Sequence, residues 1–165
     1  MENQLDMHGE MLLDQYHDLL PRLQELEQLV LTMLSDALEH MGIELNTLEH
    51  RIKKEQSFIG KLERKGQKYK DISDVTDLLG VRIVTFFTDD VDKVATLVKQ
   101  MFRVDWKHSV DKRKRHDLTS FGYNSLHYIC RLREGEMSDI PFDIQMRTIL
   151  QHAWSAMEHD IGYKI

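Results

Sequence analysis

The run FDIQMRT (142–148) sets polar Asp143, Gln145 and Arg147 on every second residue and apolar Ile144 and Met146 between them. Successive side chains of a strand point to opposite faces, so this run demands a sheet with one apolar face and one polar face. A polar face of this kind is either a solvated surface laced with an ion pair or a surface reserved for a ligand.

Other segments supply the rest of such a sheet. VRIVTFF (81–87) is rich in β-branched and aromatic residues and follows Asp77 and Gly80, with Arg82 near its start. Further strands are expected at IELNTLEHRI (43–52), around RVDWKHSV (103–110) and at NSLHYICRLR (124–133). Helical spacing occupies the intervals, in DDVDKVATLVKQMF (89–102) and ILQHAWSAMEHDI (149–161). A short basic helix, FIGKLERK, is expected with Ser57 as its N-cap and Gly66 as its stop, and VTDLL (75–79) reads as a helical turn. From Leu12 to Met41 apolar residues recur every three or four positions until Gly42, as one long helix or two meeting at Pro21. Strands alternating with helices predict an α/β (α+β) fold, a mixed central sheet flanked by helices. The expected division is an N-terminal helical layer over 1–42 and a sheet-containing domain over 43–165.

With 165 residues, 41% hydrophobic and 30% charged, the chain has enough apolar material for a proper core. It has no apolar run of membrane-spanning length and its first residues lack signal-peptide character, which makes a cytoplasmic location the expectation. The single Cys130 falls in an alternating run and reads as a buried, inert thiol. The net charge of −6 conceals an asymmetry: residues 1–50 hold eleven acidic residues and one basic, whereas 51–70 hold eight basic and two acidic. KHSVDKRKR (107–115) adds five basic residues against Asp111. Positive charge so localised in an acidic protein points to a defined polyanion site.

Asp77 before one strand and Asp143 on another could together hold Mg2+, which takes few protein carboxylates and completes its shell with water and phosphate oxygens. Basic residues at 51, 53, 61, 64, 112, 113 and 115 would then neutralise phosphates. No P-loop motif is present, despite Gly60-Lys61. Asp77 stands at a strand entrance rather than in the core, so its replacement by Asn is expected to leave the fold intact.

Four segments in order, RIKKEQSFIGKLERKG, DVTDLLGVRIV, VDKRKR…FGYNSLHY and FDIQMRTILQHAWSAMEHDIGYK, resemble the RelA/SpoT-type alarmone synthetases. The resemblance covers roughly residues 50–164. It implies a nucleotidyltransferase-like synthetase fold and Mg2+-dependent transfer of pyrophosphate from ATP to the ribose 3′-hydroxyl of GTP or GDP. By this resemblance Asp77 is a Mg2+ ligand, and Arg51 and Arg82 sandwich the adenine of ATP. Guanidinium planes stack on a base as Lys cannot. Lys53, Lys61 and Arg64 match donor-phosphate ligands, and Lys112 and Arg113 face the acceptor phosphates. Tyr123 stacks on the guanine, His127 lies by the acceptor, and Gln145 positions substrate, with Arg147 in a structural role.

The family's glutamate, which activates the 3′-hydroxyl and helps hold Mg2+, is Asp143 here, one methylene shorter. The basic loop before Tyr123 is also two residues longer than the common form, and the chain stops at Ile165 where many members continue. Glu158, His159 and Asp160 read as capping or packing residues rather than ligands of a hydrolase metal. Two other readings remain at this level. One keeps the chemistry but uses an adenine nucleotide or the tRNA 3′ end as acceptor, and the other is a catalytically silent nucleotide-binding or RNA-binding module. The oligomeric state is open, a homo-oligomer included.

Overall fold

The computed structural model describes residues 5–113 and 126–164, with side chains described as far as Met157. Helix α1 (Met7–His40) leads into β1 (Leu45–Ile52), α2 (Glu55–Lys65), β2 (Leu79–Thr85) and α3 (Thr88–Met101). Strands β3 (Arg103–Asp111), β4 (Leu126–Arg131) and β5 (Phe142–Thr148) follow, and α4 (Ile149–Lys164) closes the order. The strands form one sheet in the order β1-β2-β5-β4-β3, with β2 and β5 parallel and the other pairs antiparallel. The mixed sheet flanked by helices matches the expected fold class.

Pro21 lies inside α1 without dividing it. Proline removes one helical hydrogen bond, but it sits on the exposed side while Leu12, Tyr16, Leu23, Leu26, Val30, Leu34 and Leu38 bury one continuous stripe. Asp6 caps the start by accepting from the Gly9 N–H at 2.7 Å, and Gly42 ends the helix at φ 68°.

The beginning of α2 differs from expectation. Its N-cap is Lys54, in extended conformation and without a side-chain cap, and Ser57 lies inside the first turn. Strand pairing explains the shift, because the Lys53 N–H still bonds the Leu78 carbonyl at 2.7 Å, and the helix begins where that pairing ends. It then buries Phe58 and Leu62. Helical geometry in the following connection falls at Ile72–Asp74 rather than at VTDLL. Strand β2 begins two residues earlier than expected, since Leu79 and Gly80 pair with Ile52 and Arg51. Phe86 and Phe87 leave the strand, and the Thr85 hydroxyl donates to the Phe87 carbonyl at 3.0 Å to turn the chain into α3.

Alternation decides the sheet's two faces. Leu79, Val81 and Ile83 of β2, Phe142, Ile144 and Met146 of β5, and Tyr128 and Cys130 of β4 are all buried. Val94, Ala95 and Val98 of α3 are buried with them, and Phe142 meets Phe102 edge-on at 5.2 Å. The opposite face carries most of the sheet's charged and polar side chains in cross-strand rows. One row runs Glu49, Arg82, Gln145, His127, and the next runs Arg51, Gly80, Asp143, Ile129.

Candidate functional site

The polar rows floor a cleft of about 220 Å3 over β1, β2 and β5. Arg51, Arg82, Asp77, Asp143 and Gln145 line it, so five residues singled out from the sequence share one concavity. Gly80 lies between Arg51 and Asp143 in the register, and a Cβ placed there would meet nothing within 4 Å. The missing side chain keeps the floor open beneath a ligand.

At one end Asp77 binds two lysines. Lys61 Nζ donates to Oδ1 at 2.7 Å, and Lys53 Nζ lies 3.2 Å from Oδ2. Burial alone would raise this carboxyl, but hydrogen bonding and charge from Lys61 and Lys53 hold it below the usual carboxylate value. The lysines come from the end of β1 and from α2, and the carboxylate from the turn before β2. Three separate elements therefore converge on one charge cluster.

Arg82 Nη1 contacts Glu49 Oε2 at 3.1 Å and its Nε donates to Gln145 Oε1 at 3.2 Å. Arg147 Nη2 donates to the same Gln145 oxygen at 3.0 Å. Burial, and then the neighbouring Arg82 charge, lower the Arg147 pKa. Gln145 thus aligns two guanidinium groups, and Arg147 is a supporting member of the face.

Asp143 and His127 meet at the far side of the cleft, with His127 Nδ1 3.5 Å from Asp143 Oδ1. This is an ion-pair contact outside hydrogen-bond geometry, and both atoms are buried with no hydrogen-bond partner among the described residues. The Asp143 carboxylate pushes the imidazole pKa up against the effect of burial. A buried carboxylate oxygen without a donor suits a cation or a substrate hydroxyl. Two carboxylates in one cleft, one with such an oxygen, fit the modest protein share of a Mg2+ shell. Among the described residues no group of three or more His, Cys, Asp or Glu could hold a metal, so phosphate and water would have to supply the remaining ligands.

Three expected site residues lie elsewhere. Arg64 is exposed on α2 and lines a separate groove with Asp6 and Gln67. Lys112 is exposed beyond the end of β3. Arg113 is bound by acids: its Nη1 lies 2.6 Å from Asp92 Oδ1 and its Nη2 2.7 Å from Asp111 Oδ2. Tyr128, fully buried, donates to the same Asp111 oxygen at 2.8 Å. This cluster fastens the end of β3 to α3, which gives Arg113 a structural anchor. Tyr123 lies outside the described residues. Cys130 is fully buried and burial pushes its thiol up to about 12, in keeping with an inert side chain.

Sequence reasoning missed Glu49 and Gly80. Glu49 stands two residues before Arg51, so strand alternation assigns it to the same face. Gly80 carried a signal too, as a glycine at a strand entrance between charged residues. The Asp92 contact to Arg113 spans 21 residues and had no local signal.

A mixed five-stranded α+β domain with a cleft of paired arginines, lysines and carboxylates is the class defined by fold and site. The chain belongs to the family described as the region found in RelA/SpoT proteins, which it matches over residues 50–165. It is 32% identical over 132 residues to GTP pyrophosphokinase YwaC of Bacillus subtilis, covering 73% of this chain and 60% of that protein. It is 29% identical to GTP pyrophosphokinase YjbM of the same organism, covering 76% of this chain and 59% of the relative. The chain thus spans about 60% of the length of these curated relatives. Among solved structures, small alarmone synthetase 2 from Bacillus subtilis superposes with TM-score 0.67 at 29% identity, covering 92% of this chain and 81% of that one. Small alarmone synthetase 1, bound to its product pppGpp, gives 0.66 at 25% identity, with coverages of 92% and 82%.

Proposed function

We propose that this protein transfers pyrophosphate from ATP to the ribose 3′-hydroxyl of GTP or GDP. The observation that carries this reading is the shared cleft, lined by Arg51, Arg82, Asp77 and Asp143, with Lys53 and Lys61 drawn onto Asp77. Arg51 and Arg82 stack on the adenine. Glu49 and Gln145 hold the Arg82 guanidinium in orientation. Lys53 and Lys61, already beside Asp77, bind the donor phosphates, where charge neutralisation and positioning supply most of the catalysis of phosphoryl transfer.

Asp143 accepts the proton of the 3′-hydroxyl, with His127 beside it against the acceptor. The oxygen of that hydroxyl bonds to the β-phosphorus as the bond from that phosphorus to the bridging oxygen breaks, and AMP leaves with the bridging oxygen. Mg2+, held by Asp77 and Asp143, would neutralise phosphate charge. Tyr123, Lys112 and Arg64 belong to this proposal as acceptor-stacking, acceptor-phosphate and donor-phosphate residues from the family resemblance. Arg113 enters it through its ties between the end of β3 and α3.

The test is chromatography of ATP and Mg2+ incubated with GTP, GDP, ATP alone or deacylated tRNA. The expected result is AMP together with a 3′-pyrophosphorylated guanine nucleotide in equal amounts. Modification of tRNA or an adenine nucleotide in place of GTP and GDP, or no AMP at all, would overturn the proposal.

A further inference from the structure

We propose that Tyr16, in the N-terminal helix, is a positioning residue for the donor lysines of the cleft, an inference that rests on the donor-site reading above. The Tyr16 hydroxyl donates to the Lys53 carbonyl at 2.7 Å. On its other side the Lys53 N–H donates to the Leu78 carbonyl, also at 2.7 Å. The backbone of Lys53 is thus held between α1 and the turn bearing Asp77, one residue beyond β1, and from there its Nζ reaches Asp77.

The same tyrosine reaches the second lysine through packing. Its ring, 3% exposed, stacks on Phe58 with centroids 4.9 Å apart and planes at 29°. Phe58 is fully buried on α2, one turn before Lys61. Next along α1, the His17 ring contacts the Glu55 carboxylate at the first residue of α2. One segment of α1 therefore fixes both elements whose ammonium groups converge on Asp77. Burial and then the Glu55 charge keep the Tyr16 phenol protonated well above neutral pH, so the hydroxyl remains a donor. The family match begins at residue 50, and Tyr16 lies outside it.

Tyr16→Phe keeps the ring and its stacking but frees the Lys53 carbonyl. The probe is equilibrium binding of a non-transferable α,β-methylene analogue of ATP with Mg2+, measured apart from turnover. A net hydrogen bond corresponds to about a two- to ten-fold change in an equilibrium constant, and the analogue should bind more weakly by that factor. The KM for GTP should stay within about two-fold of wild type, and the Tm within about 6 °C, the fall that one lost hydrogen bond would produce. Arg22→Ala is the control, because it cuts α1 from the Glu136 carbonyl and Asp139 at a distance from the cleft and should leave analogue affinity unchanged. Wild-type affinity in Tyr16→Phe, an equal loss in Arg22→Ala, or a larger fall in Tm overturns the positioning role. If the wild type binds the analogue but makes no product, the transfer reaction fails while the positioning test still decides. If the wild type does not bind it, both fall.

Discussion

Replacing Asp77 with Asn should abolish transfer and also lower stability, a cost that its place at a strand entrance did not foretell. The carboxylate is the counter-charge for Lys53 and Lys61, whose side chains are 12% and 17% exposed while Asp77 is 33% exposed. Exposed ion pairs contribute about 0–1 kcal/mol, and stripping one partner from a fully buried pair costs about 3–5. A cluster between these limits, with some solvent screening, gives a loss of about 1–3 kcal/mol. For a chain of this size each kcal/mol moves the Tm by about 2–4 °C, so a fall of roughly 3–10 °C is expected. The pH dependence has a definite sign. The folded pKa of Asp77 is depressed, so its stabilisation is present above the unfolded carboxylate value of about 3.9 and is lost as pH falls through the lower folded value. Calorimetric scans of wild type and Asp77→Asn should therefore differ at neutral pH and converge in strong acid. Equal Tm values at pH 7 would refute the counter-charge argument, and normal turnover by the variant would remove Asp77 from the donor site.

Asp143→Asn should abolish product formation, whereas Asp143→Glu should raise kcat. Its extra carbon–carbon bond is about 1.5 Å, and a 1 Å error in placement can cost about 100-fold; a lower rate with Glu would show that Asp is the fitted residue. Arg113→Ala should lower the Tm by several degrees by leaving Asp92 and Asp111 without their shared guanidinium, and a rise in acceptor KM with no change in Tm would restore it to a direct binding role. Cys130 should resist alkylation at pH 8 in the folded protein and react once urea unfolds it, and rapid native labelling would contradict its burial.

Periodicity made most of the architecture legible. The strands of the sheet and the long first helix could be read from local alternation, from β-branched and aromatic content or from helical spacing, since burial of one face leaves such patterns in the sequence itself. Boundaries moved where long-range pairing prevailed over local signals. Leu79 and Gly80 joined β2 because Ile52 and Arg51 lay opposite, and α2 began at Glu55 because Lys53 was still bonded to Leu78. The continuity of α1 through Pro21 likewise depended on where the apolar stripe was buried.

Much of the cleft was visible in the same way. Period 2 put Asp143, Gln145 and Arg147 on one face, and ordered motifs pointed to Asp77, Arg51 and Arg82. The sequence by itself determined the residue types, their alternation and the concentration of positive charge, because those properties are local to the chain. Tertiary structure alone decided which charges neutralise one another. It gave Arg113 to Asp92, placed Lys53 and Lys61 on Asp77, and brought Tyr16 to Lys53 from 37 residues away. An ion pair or a hydrogen bond depends on separation in space, and separation along the chain carries almost no information about that distance until the sheet and its helices have packed.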